Sequence, residues 1–322
     1  MATLLTYIAT RNGSVQRGSL EVLTRCRAIA EAGDHAVGAV ILDTDPDAYV
    51  DQVQRYGAET IYTVADPAFD QPLNQPRIEA LRQVIEEADP LVLACAASEE
   101  VGDFLGALAV HADAAALSDV TSFEINGDAV EALRPVLAAK ALSRVRSNAG
   151  CTLLSVRAGS YEASEAPAEA RVQALPFSFS EDKLRQQVRE VVTAAGDAVD
   201  LTEAQVVVSA GRGVKDDEGQ QLVEQLAATL NAAIGATRPV VESGRFPATA
   251  QVGQTGKVVA PDLYIAVGLS GAIQHSAGMK DSRVIVAINT DADAPIFDIA
   301  TYGLVGDLYE ILPLLIEELG KR

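Results

Sequence analysis

The sequence predicts an α/β protein of two domains, each built on a mainly parallel sheet. Three observations carry this. Short apolar runs alternate with amphipathic segments of helical period over most of the 322 residues. Apolar residues make up 48% of the chain, yet aromatics only 5%, and Trp is absent, so the cores must be built from Ala, Val, Leu and Ile. That composition suits layers of sheet and helix better than an all-β sandwich. The chain is also long for one domain, and its rhythm restarts near residue 200.

The elements follow in order. "LLTYIA" reads as the first strand. "SLEVLTRCRAIAEAG" reads as a helix capped by Ser19, with Leu20, Leu23, Cys26, Ile29 and Ala30 on one face and Gly33 as the stop. "HAVGAVIL", "DPDAYVDQVQRYG" and "TIYTV" continue as strand, helix and strand. "QPRIEALRQVIEEAD", "PLVLACA" and "SEEVGDFLGALAVHA" repeat the pattern. This βαβ rhythm means parallel strands covered on both faces. From about 117 to 175 it gives way to short strands: "ALSDVTSFEI", "AVEALRPVL", "ALSRVRS" and "CTLLSVRAG". "YEASEAPAEA" reads as a loop. "SEDKLRQQVREVVTAAG" reads as a helix leading into a second unit, "AQVVVSAG", "DEGQQLVEQLAATLNA", "AAIGATRPVVESG", "DLYIAVG", "GAIQHSAGM" and "RVIVAIN". A last helix carries Leu304, Leu308, Ile311, Leu312, Leu315 and Leu319 as one stripe. The boundary falls near 180–200, giving domains 1–185 and 186–322. The second is Rossmann-like but lacks the G-x-G-x-x-G fingerprint.

Composition excludes several functions. The net charge is -20, with six Lys against nineteen Arg. Such a surface suits high salt, where self-repulsion is screened, and argues for a halophilic source. It argues against a broad nucleic-acid face, which needs a basic footprint. Cys26, Cys95 and Cys151 are scattered and form no CxxC, which excludes zinc knuckles and thioredoxin-type chemistry. The N-terminus reads as strand, not as signal peptide, and no run reaches the length of a spanning helix, so a cytoplasmic location without membrane insertion is expected.

Near-misses exclude more. "GQTGKV" lacks the Walker spacing, and Val258 stands where a magnesium-reaching hydroxyl belongs. "GLSGA" has Ala272 in place of the last Gly of a nucleophile elbow. "DTDPDAYVDQVQ" lacks the turn Gly and the terminal Glu of a calcium loop. No catalytic set and no metal set emerges. His35 and His111 read as solvent-facing. His275 follows Ser270–Gly271 at the carboxyl end of an apolar strand, where open α/β sheets bind ligands. Spacing alone leaves it open between a site residue and a core histidine bonded to a carbonyl. "SAGRGV" with Arg212, "GATRP" with Arg238 and "QVGQTG" also follow strand ends in this half. Together they could turn amides, two guanidiniums and an imidazole towards one anion such as a pyrophosphate.

Those stretches resemble a known family. The run "DLYIAVGLSGAIQHSAGMKDSRVIVAINTDADAPIFDIATYGLVGDL" resembles the flavin-binding signature of the electron-transfer flavoprotein alpha subunit. "SAGRGV", "GATRPVVESG" and "QVGQTGKVVAP" match that family's motifs in the same order. "SVRAGSYEA" is the clearest echo in the N-terminal half. The resemblance implies an αβ heterodimer whose alpha C-terminal domain holds FAD under a beta subunit, and an N-terminal domain like nucleotide hydrolases with no cofactor of its own. It would place Arg212 at the phosphate or ribityl region, Thr237 at the cofactor and Arg238 beside the isoalloxazine. Val252, Gly253, Gln254 and Thr255 would line the ring. Ser270, Gly271, Ala272, Ile273, Gln274 and His275 would bind the flavin, with His275 near O2. Asn289, Asp307 and Leu308 would serve the adenosine end. Thr237 stands where many relatives have Ser, and the hydroxyl is kept.

The resemblance implies an electron carrier, not an enzyme. It would take electrons from flavin dehydrogenases such as those of fatty acid beta-oxidation and pass them to a quinone reductase through an anionic semiquinone. A protonated His275 and Arg238 would favour that negative ring. Three rivals are an electron-bifurcating member of the family, an NAD-dependent group-transfer enzyme with Lys257 or Lys280 as nucleophile, and a noncatalytic nucleotide-binding module.

Overall fold

The computed structural model describes residues 2–137, 139–180, 182, 184, 186, 188–189 and 201–321. It divides into two compact units, Met1–Val192 and Thr193–Arg322. The helix expected over "SEDKLRQQVREVVTAAG" falls largely outside the described residues.

In the first unit β1 (Thr3–Ile8) leads through a small hairpin, β2 (Thr10–Arg11) and β3 (Ser14–Val15), into α1 (Arg17–Gly33). Then come β4 (Ala36–Asp43), α2 (Val50–Gln54), β5 (Thr60–Ala65), α3 (Asn74–Ala88), β6 (Val92–Ala96) and α4 (Glu99–His111). β7 (Ala115–Val120) precedes an antiparallel excursion of β8 (Ser122–Asn126), β9 (Ala129–Val136) and β10 (Ala141–Ser147). β11 (Thr152–Val156) and β12 (Arg171–Ala174) complete a sheet ordered β12-β5-β4-β1-β6-β11-β7, parallel throughout. The strand period divides its apolar residues between two cores. Leu4 and Ile8 of β1 pack with α1, while Leu5 and Tyr7 pack with α3 and α4. Cys26, Cys95 and Cys151 are buried free thiols in these cores, and burial raises the pKa of each.

Two details differ from expectation. Ser19 does not cap α1. The N-cap is Gln16, and Ser19 lies inside the first turn, fully buried, its hydroxyl accepting from the Ala9 N–H. A hydroxyl four residues from a tight hairpin meets the preceding chain before it meets its own helix. "DPDAYVDQVQRYG" yields only a 3-10 turn at Pro46–Tyr49 and the five-residue α2. β12 was not expected at all.

The second unit is β13 (Val206–Ala210), α5 (Asp217–Thr229), β14 (Ala233–Ala236), α6 (Arg238–Glu242), β15 (Leu263–Val267), α7 (Ile273–Ser276), β16 (Val284–Asn289), β17 (Tyr302–Val305) and α8 (Leu308–Leu319). Its sheet is ordered β14-β13-β15-β16-β17 and is parallel throughout. The strand order reverses between β13 and β15, and a doubly wound sheet opens a crevice at the carboxyl ends of such a pair. Val208, Ala210, Ile265 and Val267 face α5 and α8. Val207, Tyr264 and Ala266 face the other way, towards Val252, Met279 and Ile296.

α8 runs as expected from Leu308, with Leu308 and Leu312 buried, but Leu304 is outside its stripe. It sits on β17, an edge strand missed in the sequence because four residues carry too short a pattern; Tyr302, Leu304 and Val305 there are exposed. Among the described residues no helix is long and apolar enough to cross a membrane.

The burial contrast along α8 is testable. Leu312 is 0% exposed and Leu314 is 65% exposed. Leu312→Ala should cost about 2–5 kcal/mol by leaving a cavity. Leu314→Ala should stay within about 0.5 kcal/mol. Urea denaturation of the two variants measures the difference.

Candidate functional site

The parallel register β13–β15 pairs Ala210 with Val267, so both strands end at one level. The ladder continues past them: Gly211 N–H donates to Val267 O and Gly213 N–H to Gly268 O. The loops after β13, β14, β15, β16 and β17 meet around one cleft of about 790 Å3. Its lining takes in Arg212, Thr237, Arg238, Val252, Gly253, Gln254, Thr255, Ser270, Gly271, Ala272, Gln274, His275, Asn289, Asp307 and Leu308. Of the residues expected from the sequence, Ile273 alone is not brought in, and its side chain is 52% exposed. It occupies the first position of α7, whose opposite side supplies His275.

Backbone constraint shapes the floor. Gly271 has φ +79, and a Cβ there would lie 2.4 Å from the Ile296 nitrogen. Gly253 has φ +143, with a Cβ 2.8 Å from the Gln274 carbonyl oxygen. Only glycine fits both positions. The amides of Ser270, Gly271 and Ala272 donate to no backbone carbonyl among the described residues. They are the kind of donor a phosphate takes up.

Several side chains of the lining are already engaged, and one buried hydroxyl is not. Asp307 caps α8 by accepting from Tyr309 N–H. Asn289 donates to Leu269 O and accepts from Asp291 N–H, tying two loops together. Thr255 Oγ1 accepts from Gln251 Nε2 at 3.2 Å. Arg238 Nε lies 2.8 Å from Glu242 Oε1 on the same short helix, both exposed. Thr237 is the exception: its Oγ1 is buried without a hydrogen-bond partner, and it makes no cap bond on α6. A buried unpaired hydroxyl on a cleft wall costs stability until something bonds it. The donors present, free amides, Thr237, Arg212 and Arg238, are those a dinucleotide with a pyrophosphate and a polar ring needs.

His275 corrects an expectation. It is 6% exposed, and both ring nitrogens are in use. Nδ1 lies 3.1 Å from Val252 O, and Nε2 lies 2.8 Å from Tyr264 Oη. A carbonyl can only accept, so Nδ1 carries the hydrogen, and in the neutral ring Nε2 accepts from the Tyr264 hydroxyl. Burial pushes its pKa down to about 4, partly offset by the Val252 carbonyl. The ring expected as a cation is therefore neutral at pH 7 in this arrangement. It is both of the alternatives left open by spacing, a carbonyl-bonded core histidine and a cleft wall.

Sequence reasoning missed Gly213, Lys215, Pro239, Gln251, Gly268, Leu269, Ile288, Thr290, Gly306 and Tyr309 of the lining. Lys215 and Tyr309 had a usable signal: each lies within three residues of an expected site residue, Arg212 and Leu308. Neither Lys257 nor Lys280 lines the cleft.

A doubly wound sheet with an anion-accepting cleft at its switch point defines a nucleotide-cofactor-binding protein. Comparison with known proteins narrows the class. Residues 200–280 match the electron transfer flavoprotein FAD-binding domain, and residues 4–180 match the electron transfer flavoprotein domain. The electron transfer flavoprotein subunit alpha of Bacillus subtilis is 38% identical over 308 residues, covering 96% of this chain and 94% of that protein. That of Syntrophomonas wolfei is 35% identical, with all of both chains covered. The mitochondrial subunit alpha of Oryza sativa subsp. indica is 38% identical, covering 96% and 88%. The chain belongs to the electron transfer flavoprotein alpha-subunit family, and its cofactor is FAD.

The buried imidazole makes stability depend on pH. Its folded pKa of about 4 lies below the ordinary 6.5, so the unfolded chain binds the proton first. The contribution is whole above about 6.5 and is lost as pH falls towards 4, a total of roughly 3 kcal/mol. Denaturation midpoints between pH 7 and 4 should fall more steeply for the wild-type chain than for His275→Gln, and parallel curves would refute the assignment.

Proposed function

We propose that this chain is the FAD-holding subunit of a heterodimeric electron carrier, closed by a beta subunit, without a substrate-converting site of its own. Electrons would come from flavin dehydrogenases, such as acyl-CoA dehydrogenases, and leave to a quinone reductase, in the cytoplasm. The observation that carries the reading is the buried, unpartnered Thr237 hydroxyl on the wall of a cleft that also presents the free amides of Ser270, Gly271 and Ala272.

FAD, when bound, supplies the one- and two-electron chemistry. The chain supplies binding, orientation and charge. Arg212, Lys215 and Arg238 gather cations at the cleft of a protein whose net charge is -20, so an anionic cofactor meets a locally favourable field. Thr237 offers a fixed hydroxyl, and the amides of Ser270 to Ala272 offer donors to phosphate oxygens. Val252, Gly253, Gln254 and Thr255 form one wall, held because Val252 N–H donates to Ala236 O and Gln254 N–H to Gln274 O. Asn289, Asp307 and Leu308 form the wall assigned to the adenosine. His275 keeps a polarisable ring on the floor of the cleft. Neither lysine considered as a group-transfer nucleophile, Lys257 or Lys280, lines the cleft.

Co-expressed with its beta partner, the chain should purify yellow with bound FAD, and a colourless heterodimer that takes up none would refute the reading. Thr237→Val removes only the unpaired hydroxyl. It should leave the FAD-free chain at least as stable as before and weaken FAD binding about three- to tenfold, as measured by fluorescence titration.

The acidic surface is read as adaptation to high salt. Thermal midpoints should rise between about 0.1 M and about 1 M KCl as repulsion is screened. A flat or falling dependence would remove the halophilic reading.

A further inference from the structure

The loop between β13 and α5 carries two cations of the cleft lining, Arg212 and Lys215, on either side of Val214. Val214 is buried in the core that α5 and α8 share, while Arg212 and Lys215 are exposed. The ladder to Val267 and Gly268 fixes the start of this loop. Side chains from elsewhere hold its end. The Lys215 N–H donates to Tyr309 Oη at 3.3 Å, and the Lys215 carbonyl accepts from Arg245 Nη2 at 2.6 Å. The same Tyr309 hydroxyl donates to Asp216 Oδ1 at 2.8 Å, and that oxygen also accepts from Gly219 N–H as the N-cap of α5. The Tyr309 ring lies against Gly219, where a Cβ would come within 2.8 Å of Oη and 3.2 Å of Cζ. One phenol thus ties the start of α8 to the start of α5 and to the loop before it.

The tie decides which charges near the cleft are spoken for. Asp216 is engaged by Tyr309 and by its own cap bond, and Asp217 pairs with Arg245 at 3.0 Å. Both carboxylates next to Lys215 in sequence are therefore occupied by other groups. The Asp216 carboxyl is held below the usual carboxylate range, first by the Gly219 N–H and then by the Tyr309 hydroxyl, so it stays an acceptor at neutral pH. The Lys215 ammonium is left to face the cleft on a flexible stem. Its backbone is pinned to Tyr309, the residue that follows Asp307 and Leu308 on the wall assigned to the adenosine.

We propose that Lys215 is a further binding residue of the cleft, set against the pyrophosphate of the dinucleotide, and that Tyr309 is the residue that positions it. The proposal rests on reading the cleft as the FAD site. Without the Tyr309 hydroxyl the Lys215 amide loses its anchor, and the ammonium has more positions to choose among. The Asp216 carboxylate, released from the phenol, becomes a competing partner for the same ammonium. Both changes withdraw Lys215 from a phosphate oxygen. The opposite wall, Val252 to Thr255, is held by bonds to Ala236 and Gln274 in which neither residue takes part, so the flavin end is insulated from a change at either.

The test is a calorimetric titration of FAD into the FAD-depleted heterodimer, for the wild type, Lys215→Gln, Tyr309→Phe and the double variant. Relative to the wild type at about 0.1 M KCl, Lys215→Gln should weaken FAD binding about tenfold or more, because it removes a charge-assisted bond. At about 1 M KCl the same loss should shrink to about threefold or less, since an exposed cation is screened. Tyr309→Phe keeps the ring on Gly219 and should weaken binding about three- to tenfold at the lower salt. The double variant should bind no more weakly than Lys215→Gln alone, because the hydroxyl acts through the ammonium. The absorption bands of the bound flavin should be the same in all four proteins. Additive losses, or shifted bands in Tyr309→Phe, would overturn the positioning role. FAD held by Lys215→Gln as tightly as by the wild type would overturn the assignment of Lys215. A wild-type heterodimer that takes up no FAD would instead overturn the cofactor reading on which both rest.

Discussion

The parallel pairing of β13 with β15 is the constraint from which the site follows. Because Ala210 and Val267 are in register, and because Gly211 and Gly213 extend the ladder to Val267 and Gly268, two loops leave the sheet side by side. β14 lies on one side of this pair and β16 on the other, so their loops are carried to the same rim. No loop needs a long reach. The same register aligns the strands' other face, where Ser209, Tyr264 and Val207 look towards α7. The cleft and the buried polar group beneath it are thus two results of one pairing.

Charge is distributed against the composition. The chain as a whole is strongly acidic, while the cleft lining carries Arg212, Lys215 and Arg238 against Asp307. The exposed cations act over a distance that salt shortens. The buried imidazole acts at contact, where screening is weak, and burial keeps it neutral at pH 7.

Much of the fold was legible because apolar runs bounded by turn residues dictate strands, and strand–helix alternation dictates a parallel sheet. The failures have local causes. Ser19 was read as a cap because hydroxyls before apolar runs usually are, but the hairpin at Thr10–Val15 brings the Ala9 N–H to it first. Leu304 fits the spacing of the helix that follows, yet Gly306 and Asp307 interrupt it, and pairing with β16 makes it strand. At the site, the glycine and arginine motifs pointed to the loops because their residue types have few other uses there. Tyr264 was invisible because it sits in an apolar run and reads as filler. Only its contact with His275 shows its use.

The engaged side chains of the lining have a further consequence. Asp307, Asn289 and Thr255 spend hydrogen bonds on fixing the loops that carry them. A wall held in this way has little conformational freedom left to surrender when a ligand arrives. Contact energy then goes into affinity instead of ordering the chain. The cleft behaves as a mould set before casting, and the fidelity of what it holds is decided at folding, not at binding.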